Sequence, residues 1–189
     1  MIRLTMAKRV SSNRAMDLAL RSRHETESFG RAVGRMLRGG EVLALIGELG
    51  AGKTALVRGI AAGLGAPETA VSSPTFILIQ QYRGRLPLIH IDLYRLRTAV
   101  EAESIGLADC FSDETITVIE WADRFPSLLP TDRLELRLTH RTPTTRSMQL
   151  AADGPQSRSL LGRIEAAWSS PKRRGLSRQS KTSARRKAL

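Results

Sequence analysis

The segment Gly47-Glu48-Leu49-Gly50-Ala51-Gly52-Lys53-Thr54 constrains this chain more than any other stretch. It fits the phosphate-binding pattern G-x-x-x-x-G-K-[ST], and each residue type in it has a mechanical reason. The glycines let the backbone turn tightly, so that successive N–H groups converge on the oxygens of a polyphosphate. Lys53 brings positive charge to the β/γ-phosphates, and the Thr54 hydroxyl is a ligand for Mg²⁺. Context agrees with the pattern. Glu41 to Ile46 reads as a short buried strand leading into the loop, and Ala55 to Leu64 reads as a helix. The positive end of that helix faces the phosphates.

The net charge of the 189 residues, +12, is unevenly distributed. Residues 1–23 hold six Arg/Lys and one Asp, and residues 169–189 hold eight Arg/Lys and no acid. The stretch between them has sixteen basic and seventeen acidic residues, so it is nearly neutral. The division predicts a basic N-terminal extension over 1–23, one folded domain over 24–168 and a basic tail over 169–189. Met1, Met6 and Met16 could each open the chain, and the Arg-rich, acid-poor start also suits an organelle transit peptide. No long apolar run of a secretory signal is present there. The tail has almost no large apolar residues and cannot bury enough surface to fold alone. The single cysteine, Cys110, excludes an internal disulfide and fits a reducing compartment. No apolar stretch approaches the roughly 20 residues that span a bilayer. The expectation is a soluble, cytoplasmic protein with no membrane contact.

Periodicity supplies the remaining elements. A helix is predicted from about Glu25 to Arg38, with Phe29, Val33, Met36 and Leu37 on one face, Ser22 or Thr26 as its cap, and Gly39-Gly40 as its end. Phe76 to Ile79 predicts a strand ending near Tyr82, and Leu86 to Ile91 a second one delivering Asp92. Residues 99–111 read as a helix. Thr115 to Ile119 predicts a third strand, delivering Glu120 and Trp121. Leu134, Leu136 and Leu138 alternate with Glu135 and Arg137, the period of a half-buried strand, and Arg146 to Leu150 returns antiparallel to it. A final amphipathic helix runs from Ser157 to Trp168.

The fold class is therefore α/β, and ligands in such sheets bind outside the carboxyl ends of the strands. Three strand ends carry suitable groups: the phosphate loop, Asp92 and Glu120. Two carboxylates beside a phosphate loop suit a nucleotide hydrolase, one holding Mg²⁺ and the other positioning or deprotonating the attacking water. Ser73-Pro74-Thr75 lies where a segment sensitive to the γ-phosphate is expected, with the Thr75 hydroxyl available to metal or phosphate. His90, on an apolar strand, reads as a satisfied core histidine.

These residues together form a pattern. Gly47 to Thr54, Ser73-Pro-Thr-Phe76, His90-Ile-Asp-Leu-Tyr-Arg-Leu96, Ile105-Gly-Leu107 and Glu120-Trp121 occur in one order with typical spacings. On them the chain closely resembles the TsaE family, formerly YjeE, the small bacterial ATPases of tRNA threonylcarbamoyladenosine (t6A) synthesis. The resemblance covers about residues 22–168 and leaves both basic ends outside. It implies a single P-loop NTPase domain with a mixed parallel/antiparallel sheet flanked by helices. It also implies ATP and Mg²⁺ as ligands, and slow hydrolysis that supports cycling of the TsaB–TsaD transferase.

Carried over by position, Leu49, Gly50, Ala51, Gly52, Lys53 and Thr54 match the phosphate-binding residues, followed by Ala55. Thr54 with Glu120 matches the Mg²⁺ site, and Asp92 matches the acidic residue that supports hydrolysis. Trp121 and the segment before the first helix fall where the family completes its nucleotide site, and Arg146 matches a late basic residue near it. Glu48 stands where Asp is common and Ala55 where Thr is common. Neither change removes a group the chemistry requires.

Two other readings compete. A small-molecule kinase shares this loop but needs an acceptor pocket and usually an Arg-bearing lid, and no Arg-rich lid segment stands out. A nucleic-acid-binding protein would use the basic tail, whose cations can neutralise tRNA phosphates in a salt-dependent way. No aromatic residue interleaves with those cations, so stacking readout is absent.

Overall fold

The computed structural model describes residues 14–168; the segments 1–13 and 169–189, and with them the tail reading, lie outside the described residues. In chain order the elements are β1 (Arg14–Leu20), α1 (Arg23–Met36), β2 (Val42–Ile46), α2 (Lys53–Gly63), β3 (Ile79–Tyr82), β4 (Leu88–Asp92), α3 (Ala99–Ser104), β5 (Ile116–Glu120), β6 (Leu134–His140), β7 (Arg146–Ala152) and α4 (Pro155–Trp168). The strands form one sheet in the order β1-β7-β6-β2-β5-β4-β3. The central four, β6-β2-β5-β4, run parallel. Antiparallel partners close both sides: β3 on β4, β7 on β6 and β1 on β7. The sheet is mixed and flanked by helices.

Parallel strands at the centre of such a sheet are buried on both faces. Every residue of β2 and β5 is buried. Leu43 and Leu45 of β2 join the larger core under α1, α2 and α4, whereas Val42, Ala44 and Ile46 face a second core. That second core contains Leu93, Leu107, Cys110 and Phe125. β6 and β7 show the expected alternation, with Leu134, Leu136, Leu138, Met148 and Leu150 buried. Burial also pushes the Cys110 thiol above its ordinary range, in keeping with a structural role.

α1 starts on Ser22, whose Oγ accepts from Glu25 N at 3.0 Å, while Glu25 Oε2 accepts from Arg21 N at 2.7 Å. Ser22 is thus the cap; Thr26 instead donates to Ser22 O from a buried position. α1 and α2 cross at unusually close range because glycines line both helices. A methyl group on Gly30 would overlap Leu56 O, and one on Gly59 would overlap Glu27 O. At the far end Trp168 meets the Phe29 ring edge-on, with centroids 4.8 Å apart.

Three expectations need correction. The basic N-terminal stretch 1–23 contains β1, whose Leu18 and Leu20 are buried, so the folded region begins before residue 24. Counting charge concealed the alternation Met16, Leu18, Leu20, because Arg14 and Arg21 lie just outside it. The strand expected from Phe76 starts only at Ile79. Ile77 N and Leu78 N both turn back to Pro74 O, and Leu78 takes a positive φ of 66°. Phe76 and Ile77 are consequently 84% and 61% exposed. The helix expected over 99–111 breaks at Gly106 (φ 74°), and Leu107–Cys110 forms a separate 3-10 turn.

Candidate functional site

The phosphate loop leaves the buried end of β2 and turns into α2 at Gly52, whose φ of 104° belongs to the left-handed region that favours glycine. Gly52 also makes room for Arg146: a methyl group there would sit 3.2 Å from its Nε. Arg146, the first residue of β7, donates through Nε to Ala51 O at 3.1 Å and thereby ties the hairpin end to the loop. Leu49 stands exposed on the crest, and Ala55 lies buried in the first turn of α2.

Lys53 is only 4% exposed. Its Nζ donates to Gly47 O at 2.6 Å and to Glu48 O at 2.9 Å, and lies 3.7 Å from the centre of the Trp121 ring. Trp121 reaches this position because it leaves β5 with a φ of 60°, and its ring packs at a tilt of 38° against Tyr94, with centroids 4.9 Å apart. Burial holds the Lys53 ammonium below the usual lysine range, opposed by the charges of Glu120, Asp92 and Asp123. In a low-dielectric setting the ammonium acts on a nearby charge more strongly than it would in water, while the neighbouring carboxylates offset part of its attraction for an anion.

The two acidic strand ends lie side by side, because Asp92 and Glu120 are register partners on the parallel strands β4 and β5. They have different surroundings. Glu120 Oε1 accepts from Thr54 Oγ1 at 2.8 Å and contacts His90 Nε2 at 2.9 Å. Asp92 Oδ2 accepts from Ser73 Oγ at 2.8 Å and Thr75 Oγ1 at 2.6 Å, and Asp92 Oδ1 accepts from Tyr94 N at 2.9 Å. Ser73 and Thr75 are themselves 2.7 Å apart, so two hydroxyl protons serve three close oxygen pairs.

The structure brings every sequence-predicted position except Ala51 around one cleft of about 480 Å³; Ala51 is buried in the core behind the loop and is tied to the site through its carbonyl, which accepts from Arg146. That volume lies within the range of small-molecule sites. Arg23, Thr26 and Arg58 line the cleft too; residue patterns marked Thr26 only as a candidate helix cap and did not single out any of the three as a site residue. Arg23 and Thr26 open α1, whose docking beside the loop depends on the glycine-lined helix crossing. Arg58 donates to Val71 O at 3.0 Å and so holds the 71–75 segment against α2. His90 departs from the reading of a satisfied core residue: it is fully buried, but Nδ1 has no partner. Among the described residues no cluster of three His, Cys, Asp or Glu side chains is gathered for a metal. The available set is a hydroxyl and a carboxylate, hard oxygen ligands that suit Mg²⁺.

A parallel-centred sheet, a glycine-rich loop opening a helix and two carboxylates at neighbouring strand ends define a protein of the P-loop NTPase type. The comparisons narrow this class. The family model described as "Threonylcarbamoyl adenosine biosynthesis protein TsaE" matches residues 20–148, and the chain belongs to the TsaE family. It is 46% identical over 110 residues to the tRNA threonylcarbamoyladenosine biosynthesis protein TsaE of Treponema pallidum, covering 58% of this chain and 81% of that one. The protein of the same name from Bacillus subtilis is 37% identical over 131 residues, covering 69% and 81% respectively. The crystal structure of YdiB from Bacillus subtilis superposes with a TM-score of 0.69 at 28% identity, over 82% of this chain and 97% of that chain.

Proposed function

We propose that this chain is the ATPase subunit of t6A synthesis, binding ATP with Mg²⁺ and hydrolysing it to support cycling of the TsaB–TsaD transferase. The observation that carries the proposal is the meeting of Thr54 and Glu120 beside the buried Lys53, at the mouth of the phosphate loop. The names of the relatives place them in the same biosynthesis.

In this reading the loop N–H groups from Leu49 to Thr54 receive the phosphates, and Ala55 continues the donor series into α2. Lys53 exchanges its carbonyl partners for phosphate oxygens, a stronger charge-assisted pairing. Thr54 and Glu120 would hold Mg²⁺, which neutralises phosphate charge when bound. Asp92 orients water, and Thr75 and Ser73, which now occupy it, sense the terminal phosphate. Trp121 offers a flat apolar wall, and Arg146 lines the cleft and steadies the loop through Ala51 O. The chemistry required is positioning and charge stabilisation, which these groups supply without a covalent step.

No helix among the described residues is long and apolar enough to cross a membrane. We infer a cytoplasmic setting with TsaB and TsaD as direct partners. The basic tail, residues 169–189, would add a weak, salt-dependent attraction for tRNA.

The test is co-purification with TsaB and TsaD, with and without ATP, coupled to an ATPase assay. Nucleotide-dependent capture and hydrolysis stimulated by the two partners are expected. Hydrolysis that is indifferent to both partners, with no capture, would remove the proposal.

A further inference from the structure

We propose that His90 is a positioning residue for Glu120, fixing the orientation in which that carboxylate meets Thr54 and a divalent cation; the inference rests on the metal role proposed for Glu120. His90 is 0% exposed and sits on β4. Its side chain reaches the neighbouring strand β5, where Nε2 lies 2.9 Å from Glu120 Oε1. A carboxylate only accepts, so Nε2 is the donor in this pair. Nδ1 is buried without a partner.

Packing alone does not account for such a residue. A leucine on the same strand would fill the space and leave no orphan nitrogen, as Leu88 does two residues earlier with no exposure. Burying a polar atom without a hydrogen bond costs free energy, so the imidazole is retained for its one bond. That bond converges with another. Glu120 Oε1 receives His90 from the neighbouring strand β4 and Thr54 from the start of α2, two donors on elements that are separate in the chain. Two convergent donors restrict a glutamate that would otherwise sample several rotamers. Hydrogen bonds to a ligating carboxylate are what hold it in the geometry a metal requires, and losing one typically costs about 10–100-fold in metal affinity.

The experiment uses the full chain and measures ATP affinity calorimetrically, first in EDTA and then across a Mg²⁺ series, for His90→Leu, His90→Gln and Glu120→Gln. For His90→Leu, ATP affinity in EDTA should hold, while the Mg²⁺ concentration for half-maximal tightening rises by about 10–100-fold. His90→Gln, whose amide keeps a donor near the Nε2 position, should recover most of that loss. His90→Asn, whose amide stops short of it, should not, and replaces the leucine variant if that one fails to fold. A normal Mg²⁺ response in His90→Leu alongside a lost response in Glu120→Gln would overturn the positioning role. So would an equal loss of affinity with and without Mg²⁺, which marks a purely structural residue. A normal Mg²⁺ response in Glu120→Gln would instead overturn the metal reading of Glu120 on which the inference stands.

Discussion

Lys53 Nζ rests 3.7 Å from the centre of the Trp121 ring while donating to the carbonyls of Gly47 and Glu48. The cation is thus fully engaged by its own loop and by one aromatic face. A polyphosphate would have to draw the ammonium away from those carbonyls, which an anionic oxygen can do because it adds ion–ion attraction where a carbonyl offers only a dipole. Lys53→Ala should weaken ATP binding by about 10–100-fold, the equivalent of one hydrogen bond to a charged group. Titration calorimetry on a folded variant checks this, and unchanged affinity would exclude Lys53 from phosphate binding.

Asp92 carries a different prediction. Its carboxylate accepts from Ser73 and Thr75 on Oδ2 and from Tyr94 N on Oδ1, which leaves one acceptor position, on Oδ1, to orient a water. Asp92→Asn should keep ATP affinity and lower hydrolysis by about 10²–10⁴-fold, the usual contribution of a general base. Thr75→Val should leave binding near normal and alter hydrolysis alone. The readout is phosphate release in the presence of TsaB and TsaD. Full-rate turnover by Asp92→Asn would end its catalytic assignment.

Asp132 contributes stability that is lost at acid pH. Gln156 N donates to Asp132 Oδ2 at 2.8 Å and Ser157 N to Oδ1 at 2.9 Å, so this side chain caps α4 from the loop before β6. Burial alone would raise its pKa, but the bonds from Ser157 and Gln156 and the nearby Arg158 charge outweigh it and lower the value. A depressed folded value means the stabilisation is complete above the ordinary aspartate range. It is lost as pH falls through the folded value. Asp132→Ala should cost about 1 kcal/mol at pH 7, the typical worth of a helix cap. Urea unfolding at pH 7 and at acid pH should show the gap between wild type and variant narrowing on acidification. A gap that stays constant would mean the carboxylate charge is not what stabilises α4.

Local chemistry in the sequence was enough to specify the phosphate loop, the strand before it and the helix after it. It also specified the acids at the ends of β4 and β5 and the alternation of β6. Each of these follows from spacing within about ten residues, the range over which backbone conformation and side-chain periodicity are coupled. Tertiary structure alone decided the rest. The pairing of β4 with β5 brings Asp92 beside Glu120 and His90 within reach of Glu120 Oε1, and strand register across a parallel crossover is not written in either strand. Arg146 meets Ala51 across 95 positions because β7 folds back beside β6. β1 joins the sheet through partners on β7, more than a hundred residues away, which its surrounding charge concealed. Phe76 and Ile77 are apolar yet exposed, since backbone bonds to Pro74 O turn that segment before any strand can form. Hydrophobic pattern records which side chains favour burial, but only the assembled sheet determines which of them find a neighbour to be buried against.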